Sequence, residues 1–240
     1  MAKKIKMKKH KYLFCFALLF STVACETAQK NENSKKEEIL KVAKLTPETF
    51  SESEVPNDIK QLKNVKIVGG AKWKDIQGDF LLVLAEFPVI RKPNPEASKS
   101  DIDSVNHAEV QAFFFKNKKQ IQRFFIVETA PLDVTAKFIK EATTLTDADN
   151  NNIGEVTFLI KHHTRGDVSP SSLTLVTFTD ETKFQMGGTM RVVDKKDKTN
   201  TMGGEKDDKG FRNAPELIKK QADQIWEKFV EEDFETHFKP

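Results

Sequence analysis

The chain has 240 residues, of which 31% are charged, and a formal net charge of +3. Residues 1–24 contain six lysines and no acid, so the net charge of the remaining residues is 3 − 6 = −3. This charge excludes a basic nucleic-acid-binding surface typical of such proteins in that part of the chain. Cys15 lies in the first segment, and Cys25 is the only other cysteine, which excludes a disulfide framework or a thiolate metal site in the rest of the chain.

The first 25 residues are typical of a bacterial lipoprotein signal. A lysine-rich start is followed by an apolar run of about a dozen residues, 12–24, which is shorter than the ~20 that a spanning helix needs. Ala24 suits cleavage just before Cys25, whose thiol would take the diacylglycerol. Thr22 stands where such signals usually have Leu, Ile or Val, and ordinary cleavage without lipidation is the alternative. We therefore predict a lipoprotein signal peptide over residues 1–24 and lipidation, with palmitate among the acyl chains, at Cys25.

This signal predicts a protein of the cell envelope that is anchored to the lipid bilayer through its N-terminal acyl chains. The outer membrane or the cell surface is the expected location, and no nucleic-acid partner is expected. Residues 29–38 contain no apolar side chain, a composition that cannot form a packed core. We therefore predict that residues 25–61 form a flexible polar tether.

From residue 62 onwards, short apolar runs alternate with turn residues, which predicts β-strands. The run 80–87 is nearly all apolar and indicates a buried strand, reached by a turn around Gly78. The Phe-rich runs 108–115 and 121–127, separated by residues 116–119, predict a hairpin. The other predicted strands cover residues 65–68, 71–73, 156–160, 173–178, a run from Phe184 onwards, and 190–193, before a charged loop over 194–210.

The C-terminal part has the pattern of an amphipathic helix. Asn213 can cap it, Pro215 fits its first turn, and Glu216 follows the cap by three residues. Apolar side chains then recur at three- and four-residue spacing up to Phe234, which predicts a helix of about twenty residues. We expect residues 62–240 to form a single α+β, mainly β domain: an antiparallel meander sheet of about eight strands with this helix packed on it.

One loop carries the pattern of a metal site. Asp147, Asp149 and Asn151 occupy alternate positions, and Glu155 follows four residues after the asparagine. Side chains at positions 1, 3 and 5 of a tight loop can converge on one ion, with the carbonyl of Ile153 and the carboxylate of Glu155 as further ligands. Calcium prefers six to eight such oxygens. The loop is therefore predicted to bind Ca²⁺.

The spacing favours a short calcium loop between two strands. An EF-hand needs a bidentate Glu at its twelfth position, where this chain has Phe158. The nine-residue loops of integrin-type propeller repeats have the observed spacing, and Asn152 stands where they usually have Gly. Asn tolerates the left-handed backbone that this position requires. The alternative is a solvated acidic turn without metal, although three carboxylates in nine residues would repel one another without a cation.

Several segments together resemble a known family. They are Trp73 with Gly78-Asp79, the run from Thr146-Asp147 through Asp149 to Glu155-Val156, Gly166-Asp167-Val168-Ser169-Pro170, Phe211 with Ala214-Pro215, and Trp226. In this order they are similar to an exported bacterial family called surface polysaccharide biosynthesis proteins. That family usually has D-x-D-x-D-G in the loop, so Asn151 and Asn152 are departures that leave one carboxylate fewer. The resemblance implies a link to cell-surface polysaccharide and supplies no catalytic residues.

The functional prediction is a non-enzymatic, calcium-stabilised envelope lipoprotein connected with surface polysaccharide. Its expected partners, besides the bilayer, are that polysaccharide or envelope proteins. No G-x-S-x-G, H-E-x-x-H or P-loop motif occurs. The alternative is an envelope enzyme that acts on glycans with a pair of carboxylates about 5–10 Å apart.

Overall fold

The computed structural model describes residues 48, 50–99, 101–165, 168–197 and 199–234, with no side-chain description for residue 165. The predicted signal peptide and Cys25 lie outside the described residues. Strands dominate the described part of the chain. The twelve strands there are β1 Lys66–Asp75, β2 Gly78–Pro93, β3 Ser104–Lys116, β4 Lys119–Ala130, β5 Asp133–Thr146, β6 Glu155–Arg165, β7 Ser172–Thr179, β8 Thr182–Thr189, β9 Arg191–Val193, β10 Thr201–Gly203, β11 Lys206–Asp207 and β12 Glu231–Asp233.

Helices are few. Helix α1 covers Asn57–Lys60 and helix α2 covers Glu216–Phe229. Three further turns of 3-10 helix lie at Glu52–Glu54, Ala97–Lys99 and Lys209–Phe211. No helix within the described ranges has both the length and the apolar character needed to cross a membrane.

The strands form two large antiparallel sheets and one small one. The first sheet has the order β1-β2-β3-β4, and the second has the order β11-β8-β7-β6-β5. Most neighbouring strands are sequential, and two-residue turns join β1 to β2, β3 to β4 and β7 to β8. Between β3 and β4, Asn117 and Lys118 have φ values of 50° and 65°, as a two-residue hairpin turn requires. In the small sheet, of order β10-β9-β12, β12 is parallel to β9.

The predicted fold class is confirmed: the domain is mainly β, with antiparallel meanders and a C-terminal helix packed on a sheet. The strands divide among two large sheets of four and five strands and a small sheet of three, so the expected single sheet of about eight strands was only approximate. The inner faces of both sheets share one apolar core, because each sheet must bury an apolar face. Phe114 of the first sheet stacks on Phe178 of the second, with ring centroids 5.0 Å apart, and Trp73 stacks on Phe80 at 5.1 Å.

The outer face of the first sheet is covered by residues 50–65. Val55 and Ile59 of this segment are 2% and 1% exposed, and they pack against Val83, Ala85 and neighbouring side chains of the sheet. The packed domain therefore begins before residue 62, within the stretch predicted to be tether.

The outer face of the second sheet is covered by helix α2. Ile218, Ala222 and Trp226 of the helix are buried in a second core with Leu173 and Leu175 of strand β7. The domain is thus layered: residues 50–65, the first sheet, the second sheet, and helix α2.

The C-terminal predictions need three corrections. Helix α2 has 14 residues rather than about twenty, because residues 231–233 leave the helix to pair with β9 as strand β12. Asn213 is not its cap; Pro215 occupies the N-cap position, without a side-chain hydrogen bond. The segment 194–210, predicted as a loop, contains the short strands β10 and β11, and the last predicted strand, near residues 190–193, belongs to the small sheet.

Candidate metal centre

The acidic loop joins two neighbouring strands of the second sheet, as predicted. Strand β5 ends at Thr146 and β6 begins at Glu155, with Thr146 paired to Glu155 across the ladder. Within the loop, Asn150 and Asn152 have φ values of 57° and 63°. The left-handed backbone predicted for Asn152 is confirmed, and asparagine is among the few residues besides glycine that adopt it readily.

Three of the predicted ligands converge. One carboxylate oxygen from each of Asp147, Asp149 and Glu155 lies within 4.8 Å of the others. Glu155 is fully buried, Asp147 is 5% exposed, and Asp149 is half-buried. Oxygens at this separation can share one cation through bonds of about 2.4 Å. The cluster can therefore hold a metal ion, and its identity is a separate question.

The backbone of the loop turns its N–H groups towards the aspartates. The Asn151 N–H donates to Asp147 Oδ1 at 2.9 Å, and the Asn152 N–H donates to Asp147 Oδ2 at 3.0 Å. Asp149 Oδ1 accepts a longer bond, 3.3 Å, from the same Asn151 N–H. Each carboxylate oxygen has a second lone pair, so these bonds orient the aspartates and leave acceptor capacity for a cation.

Glu155 is the least satisfied member of the cluster. Its Oε2 accepts a 2.6 Å hydrogen bond from the Ala148 N–H, whereas its Oε1 is buried without a hydrogen-bond partner. Burial, assisted by the charges of Asp149 and Asp147, raises the pKa of Glu155 to about 8. A buried carboxylate oxygen without a partner is rare in native proteins. A bound cation would supply the missing interaction and favour the ionised form.

The other two predicted ligands, Asn151 and the carbonyl of Ile153, are not part of the converging carboxylate cluster. Asn151 is exposed; its side-chain amide donates to Asp149 Oδ2 at 3.1 Å, and its Oδ1 accepts from the Ile153 N–H at 2.7 Å. Asn151 therefore braces the loop and adjoins the cluster through Asp149. Ligation by Asn151 and by the carbonyl of Ile153 stays a prediction.

A fourth carboxylate reaches the loop from the other sheet and was missed in the sequence. Asp75 ends strand β1, and its Oδ2 accepts hydrogen bonds from the Gly154 N–H at 2.9 Å and from Trp73 Nε1 at 3.2 Å. Its Oδ1 accepts from the Gln77 N–H at 2.7 Å. Asp75 and Gly154 are 79 positions apart, and no local pattern pairs residues at such a distance.

The adjacent histidines of strand β6 do not form a second site. They point to opposite faces of the sheet, as alternation along a strand requires. His162 Nδ1 lies 2.5 Å from Glu128 Oε1, and His163 Nε2 lies 3.3 Å from Asp133 Oδ2. Within the part of the chain that the structure describes, the cluster of Asp147, Asp149 and Glu155 is the one group of three such ligands that converges.

Comparison with known proteins adds no relative: no family model, no curated protein and no solved structure matches this chain.

Proposed function

We propose that this protein is a non-enzymatic, lipid-anchored envelope protein whose β-domain is stabilised by one calcium ion bound in the loop 147–155. The observation that carries the metal part is the Oε1 atom of Glu155, which is buried without a partner beside two further carboxylates. Without a cation, the fold would bury an acid next to two anions, an arrangement that disfavours its ionised form.

Calcium suits this centre better than the other common divalent ions. The converging ligands are carboxylate oxygens from an irregular loop, and calcium accepts such oxygens in a flexible geometry. Magnesium demands near-ideal octahedral geometry and retains several waters. Zinc prefers nitrogen and sulfur ligands, and no histidine or cysteine joins the described cluster.

The anchor and the link to polysaccharide belong to the same proposal and have different support. The anchor is supported by the lysine-rich start, the short apolar run and Cys25. The link to surface polysaccharide is supported by the resemblance in sequence. Retention of the purified domain on immobilised surface polysaccharide, compared with a neutral dextran matrix, tests that link, and equal elution from both would contradict it.

The calcium part is tested with residues 26–240 purified in EDTA. Addition of Ca²⁺ should raise the melting temperature, and calorimetry should show one site. Stabilisation of about 2.7 kcal/mol is expected at a calcium concentration one hundred times the Kd. Asp149→Asn should weaken binding, whereas Asp197→Asn, which changes an exposed residue in an irregular segment outside the loop, should not. A melting temperature that EDTA and Ca²⁺ leave unchanged, with no heat of binding, would refute the calcium site.

A further inference from the structure

We propose that Asp75 is a positioning residue of the metal centre, so that calcium bound by the second sheet also holds the first sheet in place. This inference rests on the proposed calcium site and adds to it a residue from outside the loop. The loop itself belongs to strands β5 and β6, whereas Asp75 belongs to β1.

The Gly154 N–H donates a hydrogen bond to Asp75 Oδ2 at 2.9 Å. Gly154 directly precedes Glu155, the buried ligand whose Oε1 has no partner. A hydrogen bond that fixes the backbone of Gly154 therefore also fixes the position of the adjacent Glu155 Cα, from which the ligand side chain extends. Groups that orient metal ligands in this way typically change metal affinity by 10–100-fold when they are removed.

Asp75 is itself held firmly enough to serve this role. Its two oxygens accept from three N–H groups, those of Trp73 Nε1, Gln77 and Gly154. Trp73 is 2% exposed and lies in the core between the sheets. Two of its three donors, Trp73 Nε1 and the Gln77 N–H, belong to its own hairpin, so the first sheet holds Asp75 without the loop as well.

A second contact joins the same two segments. The Ile76 N–H donates to the carbonyl of Asn152, although at 3.5 Å this bond is long. The turn between β1 and β2 therefore contacts the loop at two points, near its middle and near its end. A cation that binds the loop carboxylates would fix the backbone of the loop. Since the loop is hydrogen-bonded to this turn, the cation would also hold the two sheets together at this end of the domain.

The sequence supplies a natural reporter of this coupling. The indole N–H of Trp73 donates a hydrogen bond to Asp75 Oδ2, the same atom that accepts a hydrogen bond from the Gly154 N–H. A change in the loop should therefore alter the indole environment. The second tryptophan, Trp226, lies in the separate core beneath helix α2, so Trp226→Phe isolates the signal of Trp73.

The test measures calcium affinity by calorimetry in residues 26–240 carrying Asp75→Ala, Asp75→Asn or Asp79→Ala. Asp79 is the matched control, because its replacement removes a charge from the same β1–β2 hairpin and its side chain is 68% exposed. We expect Asp75→Ala to weaken calcium binding 10–100-fold. Asp75→Asn, which keeps an oxygen acceptor for Gly154, should recover part of that loss, and Asp79→Ala should change affinity by less than about threefold, since exposed charges are screened.

Fluorescence gives the second readout. Calcium should change the emission of Trp73 in the Trp226→Phe protein, with the same midpoint as the heat of binding, and Asp75→Ala should abolish that change. Circular dichroism in EDTA checks that each variant folds; if Asp75→Ala does not, Asp75→Asn decides alone, with a weakening greater than that of Asp79→Ala expected. Wild-type binding with equal affinities in the Asp75 and Asp79 variants would overturn this inference and leave the calcium site standing. Absence of binding in the wild-type chain would overturn both.

Discussion

Replacing Glu155 with glutamine should have opposite effects on stability in the absence and in the presence of calcium. In the metal-free protein the buried carboxyl has its pKa raised to about 8, whereas its ordinary value is 4.5. The unfolded chain then releases the proton at pH 7 and the folded chain largely keeps it. At 1.36 kcal/mol per pKa unit, this difference costs the folded state about 3 kcal/mol at pH 7.

Glutamine removes that cost because it carries no proton to release. Its carbonyl can keep the hydrogen bond from the Ala148 N–H, and its amide can donate to the neighbouring Asp147 or Asp149. In EDTA at pH 7, Glu155→Gln should therefore raise the free energy of unfolding by up to about 3 kcal/mol. In saturating calcium the same variant should be less stable than the wild type, because it has lost a charged ligand.

The assay is urea unfolding of both proteins, in EDTA and in calcium, from pH 4 to pH 9. The sign of the pH dependence follows from the raised pKa of Glu155. The contribution of Glu155 to the stability of the metal-free wild type is fully present below pH 4.5 and is lost as the pH rises towards about 8. The variant lacks this contribution. If Glu155→Gln lowers the stability in EDTA by as much as in calcium, the carboxylate is not electrostatically strained and the reasoning is refuted.

Three further predictions address other parts of the molecule. Ile59→Ala should lower the free energy of unfolding by about 2–4 kcal/mol, because Ile59 packs on the first sheet and is 1% exposed. The control Ile76→Ala, at a residue that is 71% exposed, should change it by less than about 0.5 kcal/mol. Equal losses for the two variants in urea titrations would contradict the packing of residues 50–65. Gly188→Ala should destabilise strand β8, because a Cβ there would lie 1.9 Å from the Glu205 carbonyl oxygen; an unchanged melting temperature would show that this contact relaxes freely. Cys25→Ala should abolish metabolic labelling with palmitate, and equal labelling of variant and wild type would remove the anchor from the proposal.

The convergence of three carboxylates in the loop was predictable because its information is local. Asp147, Asp149 and Glu155 lie within nine residues, a spacing that lets their oxygens converge, as they do in the structure. The hydrogen bond from Gly154 to Asp75 was not predictable, because it depends on how the two sheets pack. The absence of a hydrogen-bond partner for the buried Glu155 Oε1 likewise depends on the folded structure and could not be predicted from the sequence.

The fold shows the same division between local and long-range information. Residues 80–87 form a buried strand, and their nearly continuous apolar run is explained by cores on both faces of the first sheet. The division into two sheets was not predictable, because strand patterning is the same whether neighbouring hairpins extend one sheet or pack as two. The predicted end of helix α2 was too late because Phe234 continues the helical spacing of apolar residues. In the structure, residues 231–233 instead adopt an extended backbone and pair with β9.

The parallel pairing of β9 with β12 affects the order in which the domain can assemble. Arg191 pairs with Glu231, 40 positions later, and the chain between them includes helix α2. Contacts between distant positions form late in folding because the entropy of closing the intervening chain must be overcome first. Once made, this pairing ties the C-terminal end of the helix to the small sheet. The helix and the small sheet should therefore unfold as one cooperative unit, and hydrogen exchange should show their amide protons opening together.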